Sequence, residues 1–235
     1  MLATRPERAR AAAPGAGRVG DRHDLIFTAQ SVLPEGQAFY RNIRAQAAAH
    51  GRDPDHVRIM PGLLVIPGES DAEARYDSLT GLMDDAAALP LLARRCGDLD
   101  IRDHPLDGPL PDLPPSNATR ARQAHIVDKA RREGLSIRQV IRYMATSLGH
   151  NMVVGSPARI ADVMQEWFES GACDGFTLLF PYYPRPLEDF VSLVVPELQR
   201  RGLFRTAYES PTLREKLGIP APPSRYAVRP PAGPA

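Results

Sequence analysis

The chain alternates short, dense apolar runs with longer stretches in which apolar positions recur every three or four residues. The runs are "HDLIFTAQ" from His23, "HVRIMPGLLVIPG" from His56 and "DGFTLLF" from Asp174. They are short and show little polar interruption, which predicts strands buried on both faces, near Asp24 to Thr28, Arg58 to Leu64 and Gly175 to Leu179. A proline cannot donate to a central ladder, so Pro61-Gly62 predicts a bend or bulge in the second strand.

The stretches between them read as helices. Phe39, Ile43 and Ala47 recur at four-residue spacing, and Gly51 follows as a stop signal. Ser70 with Glu73 has capping-box spacing at the head of the next helical pattern, which Pro90 would split or kink. Two further helices follow a Pro-rich segment. Gly134 ends the first and Ser136 caps the second. After His150 comes the brief apolar run "MVVG". Ser156 is then an N-cap with Pro157 at the first helical position, ahead of a stripe of Ile160, Val163, Met164, Trp167 and Phe168. A Met and aromatic stripe at that spacing predicts core packing. A closing helix ends in Arg200 and Arg201, where cations suit the helix dipole. Alternating strands and helices imply an α/β fold of parallel strands joined by crossover helices.

Composition narrows the function classes. Lys+Arg number 29 against Asp+Glu 28, a net charge of +1, so no basic field for nucleic acid or an anionic membrane is expected. No apolar stretch reaches the roughly 18 residues of a membrane span. The two cysteines, Cys96 and Cys173, lack Cys-x-x-Cys spacing, so no disulfide framework or cysteine metal site is expected, which suits a cytoplasmic location. No Gly-x-Gly-x-x-Gly follows a strand, and neither a Walker loop nor a Gly-x-Ser-x-Gly elbow occurs. Residues 1–22, rich in Arg, Ala and Gly, are expected to be poorly ordered, as is the Pro-rich tail over 221–235.

Several strings go beyond generic fold physics. "DLIFTAQ", "RIMPGLLVIPGES", "HPLDGPLPDLPPSN", "GHNMVVGSPARIADVMQEWFESGACDGFTLLFPYYP" and "LEDFVSLVVPELQRRGLFRTAYESPTLREKLG" resemble the flavin-dependent monooxygenases of the bacterial luciferase-like family. Within it they resemble the group acting on nitrilotriacetate, dibenzothiophene sulfone and long-chain alkanes. The resemblance runs from Arg22 to Pro220 and falls on the family's C-terminal half. It implies the C-terminal part of a (β/α)8 TIM barrel, about three of the eight strands. Residues 23–220 would form that partial barrel, with a helical insertion over 68–151 between the last two strands.

The resemblance also implies reduced FMN and O2 as cofactors, with the flavin supplied by a separate flavin reductase. The substrate would be a small organic molecule. His150, in the "GH" position, would point into the substrate and flavin cavity and hydrogen-bond the oxygenated flavin or the substrate. By itself a histidine after glycine is a loop residue. Thr28 and Gln30, at the carboxyl end of a strand, are the expected flavin-binding positions, with strand termination as the plainer reading. Pro181 and Tyr182, after the last strand, would line the substrate pocket, although a tyrosine is equally at home half-buried on a surface. No metal site is expected. Two functional readings remain: a monooxygenase in truncated or split form, or a non-catalytic fragment unable to bind flavin alone. The first needs a separately encoded N-terminal half or a homo-oligomeric partner.

Overall fold

The computed structural model describes residues 23–95, 104–113 and 120–221. The N-terminal segment expected over 1–22, nearly all of the tail and parts of the insertion lie outside the described residues. Among the described residues four strands occur: β1 (Leu25–Thr28), β2 (Arg58–Pro67), β3 (Asn151–Gly155) and β4 (Thr177–Leu179), with parallel pairing between them. The nine α-helices among the described residues are α1 (Leu33–Ala49), α2 (Ala72–Gly81), α3 (Asp85–Arg95), α4 (Arg120–Glu133), α5 (Ile137–Ser147), α6 (Pro157–Glu169), α7 (Arg185–Asp189), α8 (Val195–Arg200) and α9 (Leu213–Lys216).

The strand order follows from the pairing. Leu63 and Leu64 pair with β3 and with β4 at once, so these two strands flank β2 on opposite edges. The N–H and C=O of Ile59 are both taken by Asp174, on the way into β4. In a parallel strand the two groups of one residue face the same edge. β1, in register with Arg58 through Pro61, therefore occupies the other edge. The continuous arc is β1-β2-β4, the three strands expected from the sequence. β3 is a fourth, unexpected strand: it lies beyond the end of β1, against the carboxyl half of β2.

The structure corrects several sequence expectations. β2 is not interrupted at Pro61-Gly62 but runs on to Pro67. β1 is not buried on both faces. Ile26 and Thr28 are buried, whereas Leu25 and Phe27 are about half exposed, at 47% and 49%. The buried side packs on α1, where Ile26, Val57 and Ile59 meet Ile43 and Ala47. β4 is only half-buried throughout. Ser70 does not cap α2. The N-cap is Asp71, which makes no side-chain cap bond, because its carboxylate binds Arg75 instead. Pro90 lies inside α3, and the break comes earlier, where the Asp84 side chain accepts the N–H of Ala86 at 2.9 Å.

Other expectations hold. Ser136 accepts the Gln139 N–H, and the Gln139 side chain accepts the Ser136 N–H, completing a capping box. Ser156 caps α6 with Pro157 at its start. The helical stripe is only partly core: Ile160 and Trp167 are buried, whereas Phe168 is 51% exposed. The closing helix contains one π turn, Phe190–Val194, just ahead of Pro196. A widened turn relieves the clash between a proline ring and the preceding turn.

The insertion has a core of its own. Leu92, Ile126, Ile137, Val140, Ile141, Tyr143 and Met144 bury one another across α3, α4 and α5. A second cluster packs β2, β3 and α6 against the closing helix through Leu63, Val65, Val153, Ile160, Phe190, Val194 and Leu198.

Candidate active site

The site is built on the face of the sheet opposite α1. Alternation puts Phe27 and its register partner Met60 on that face, and Gly62, two residues further on, shares it. Into this surface the insertion delivers His150. α5 ends in two residues with left-handed backbone, Leu148 at φ 52° and Gly149 at φ 85°. Glycine adopts such a φ without penalty. The double turn reverses the chain and carries His150 back to the sheet.

His150 is therefore no exposed loop residue. It is only 9% exposed. Its backbone N–H donates to Ser147 at 2.9 Å. Its carbonyl accepts the Tyr143 hydroxyl at 3.0 Å. Burial pushes the Tyr143 phenol up to about 12, so the hydroxyl keeps its proton and remains a donor at every physiological pH. The imidazole stacks obliquely on Phe27, with ring centroids 5.3 Å apart and 45° between planes. On its other side it fills the space above Gly62: a Cβ there would lie 2.4 Å from Nδ1, 2.9 Å from Cε1 and 3.0 Å from Cγ.

Parallel strands bring their carboxyl ends to one rim. Thr28 and Gln30 leave β1 there, and Pro181 and Tyr182 leave β4 there. Thr28 shares the face of Ile26, the side packed on α1, so its hydroxyl does not line the same face as Phe27. It accepts the Gln30 side-chain amide at 3.2 Å. Pro181 and Tyr182 are half-buried, beside Phe180, whose ring meets Tyr183 and Phe190 edge-on.

An ion-pair lock ties the rim together. Arg75 of α2 binds Asp189 of α7 and the carbonyl of Pro67 at the end of β2. Burial works to raise the Asp189 carboxyl, but hydrogen bonds from Arg75 and Arg185 prevail and hold it below the usual carboxylate range. Both arginines are thereby committed to a carboxylate.

An open cleft of about 580 Å³ lies elsewhere, at the N-terminal end of α5, lined by Asp107, Ser136, Arg138 and Arg142 among others. Arg138 there is already paired with Asp85 and Asp107, and His150 follows the opposite end of that helix. Among the described residues, no group of three or more His, Cys, Asp and Glu side chains could hold a metal. No helix among them is long and apolar enough to cross a membrane.

Sequence reasoning missed Phe27 and Gly62 as parts of the site. The available signal was Gly62 itself, since a glycine inside an apolar strand marks a close approach as well as a bend.

Comparison with known proteins agrees with this architecture. The model of the luciferase-like monooxygenase family matches residues 9–174. The chain is 44% identical over 208 residues to N-acetyl-S-(2-succino)cysteine monooxygenase of Bacillus subtilis, covering 87% of this chain and 47% of that protein. It is 39% identical to nitrilotriacetate monooxygenase component A of Aminobacter aminovorans, covering 91% and 48%. Among solved structures, DmoA from Hyphomicrobium sulfonivorans superposes with a TM-score of 0.74 at 27% identity, over 88% of this chain and 44% of that one. The chain spans about half the length of the curated relatives it matches. With more than half of its residues matched by the family model and a parallel β/α arrangement shared with the solved relatives, the chain belongs to the luciferase-like monooxygenase family.

Proposed function

We propose that this chain supplies one wall and the histidine of a flavin-dependent monooxygenase site that uses reduced FMN and O2 on a small organic substrate in the cytoplasm. One observation carries the reading: the insertion brings His150 onto the open face of the parallel sheet, between Phe27 and Gly62. A solvated loop histidine would need neither the double left-handed turn nor the absent side chain at Gly62.

The residues present fit part of a flavin. Leu25 and Phe27 offer an exposed apolar surface of the kind a planar ring covers. Gln30, held by Thr28, and the Pro181-Tyr182 rim lie at the strand ends, where barrel sites form. The phosphate is a poorer match, because Arg75 and Arg185 at the rim are engaged by Asp189. Bound reduced flavin would supply the reaction with O2. His150 would orient the substrate and hold or move a proton, Phe27 would keep water from one side of the imidazole, and Tyr182 would border the substrate. A flavin reductase is the partner that delivers the reduced cofactor. Further strands of a (β/α)8 barrel would complete the site.

The second reading is a non-catalytic fragment unable to bind flavin alone. It is favoured by the exposure of Leu25 and Phe27, each of which leaves about half of its surface open. The deciding experiment mixes the purified chain with the N-terminal half of a full-length relative, adds a flavin reductase, FMN and NADH, and measures substrate oxidation. Oxidation that requires both halves supports the enzyme. Mixtures that assemble yet never oxidise any family substrate support the fragment.

A further inference from the structure

We infer that Gly62 is the positioning residue for His150, and that it presents Nε2 rather than Nδ1 to whatever occupies the open face. The inference deepens the proposed function, on which its catalytic meaning rests. Its geometry stands independently.

Every residue type other than glycine carries a Cβ, and at position 62 that atom would clash with the imidazole at 2.4 Å. The closest approach is to Nδ1, followed by Cε1 and Cγ. These three atoms form one side of the ring, so Nε2 lies on the side turned away from β2. The ring cannot retreat freely. Phe27 abuts it from β1, and its main chain is pinned by Ser147 and by the Tyr143 hydroxyl. Gly62 needs no positive φ, which is confined among the glycines to other positions. The glycine at 62 is thus explained by space and not by backbone strain. The same substitution is compatible with the strand itself, since a residue in a central strand ordinarily gains from a side chain.

A size-complementarity cycle tests this. Gly62→Ala, His150→Ala and the double variant of the full chain are compared by thermal melting. Gly62→Ala alone should lower Tm by about 5 °C or more, the scale of an overpacked core. In the His150→Ala background the same change should cost much less, or raise Tm. An equal loss in both backgrounds would overturn the inference, because Gly62 would then matter for a reason other than His150. If Gly62→Ala alone does not fold, a folded double variant supports the inference and an unfolded one overturns it.

A spectroscopic measurement separates positioning from mere packing. The His150 Cε1–H resonance, assigned with His150→Asn, should shift when Phe27 is changed to Leu, because the aromatic ring current is lost. In the Gly62→Ala background, or at Gly62→Ser should that fold better, the resonance should no longer respond to Phe27. An undiminished response would show that the imidazole keeps its place without the glycine. Neither measurement uses turnover. A positive cycle beside an inactive reconstituted enzyme would leave the positioning intact and sink only the proposed reaction.

Discussion

Asp174 and Ile59 exchange two backbone-directed hydrogen bonds: the Asp174 N–H donates to the Ile59 carbonyl at 2.9 Å, and the Asp174 carboxylate accepts the Ile59 N–H at 2.8 Å. The side chain thus does what a strand carbonyl would do, and it starts the pairing of β4 with β2. The same carboxylate accepts the Tyr40 hydroxyl and an Arg44 N–H from α1. It joins the edge of the sheet to the helix layer at the end opposite His150.

Asp174→Ala should therefore destabilise the chain by about 3 kcal/mol, the scale of breaking a buried, hydrogen-bonded ion pair. It leaves the Ile59 N–H without its acceptor and Arg44 with Asp55 as its remaining carboxylate partner. The midpoint of urea unfolding measures it. A loss under about 1 kcal/mol would mean that water replaces the carboxylate without penalty.

The rim lock gives a pH dependence with a definite sign. Asp189 has a folded value below its ordinary 3.8. Its stabilising contribution is complete above that ordinary value and is lost as pH falls through the lower folded one. Asp189→Asn should lower stability at pH 7, and its deficit should shrink as pH drops below about 4. Unfolding midpoints of both proteins between pH 7 and 2.5 provide the comparison. A deficit that stays constant over that range would remove Asp189 from the account of acid sensitivity.

Cys173 is a buried thiol that burial pushes up to about 12. At pH 8 its thiolate fraction is then on the order of 10⁻⁴, against a sizeable fraction for an ordinary thiol. Iodoacetamide should modify Cys173 at least about 100-fold more slowly in the native chain than in urea, as read by peptide mass spectrometry. Comparable rates in both states would place the thiol in solvent.

Flavin binding by the chain alone should be weak, with Kd above about 100 μM. A tight site for a flavin-sized molecule encloses most of the ligand surface. Here Leu25 and Phe27 lie open, and the rim arginines are engaged elsewhere. Titration following FMN fluorescence measures it. Saturable binding at low micromolar concentration would show that one wall and the rim suffice.

The arc β1-β2-β4 was legible because each strand is a compact apolar run between helical stripes. β3 was not. Asn151–Gly155 has one buried residue among five, and it becomes a strand only because β2 runs past the end of β1 and leaves an edge to pair with. Thr28 was a site candidate from its place at the strand end; the parity of β1 sends its side chain toward α1, and parity depends on which face is covered. Ser70 was the expected cap, and Asp71, one residue on, takes the N-cap position. Asp71 turns its carboxylate to Arg75, one helical turn on, and makes no side-chain cap. His150 was expected from the resemblance to be a site residue; its burial rests on Gly62 and Phe27, contacts between elements far apart in the chain.

His150 itself gives the sharpest functional prediction. A loop histidine would be removed at little cost, whereas this one fills the space above Gly62 beside Phe27. His150→Ala should cost about 1–2 kcal/mol, as a partly collapsible cavity does. In a reconstituted enzyme it should lower substrate oxidation by roughly 100-fold or more, the scale of a lost general acid/base or orienting group. The amide analogues divide the two nitrogens. The Gln amide nitrogen lies near the place of Nε2, and that of Asn near the place of Nδ1. If Nε2 faces the substrate, His150→Gln should retain more orienting power than His150→Asn, seen as a higher kcat at similar KM. The readout is initial-rate oxidation with matched reductase, on variants shown by circular dichroism to be folded. Wild-type rates in all three variants would return His150 to a packing role and leave the chemistry to residues outside this chain. Asn outperforming Gln would keep the histidine in the site but turn the imidazole the other way.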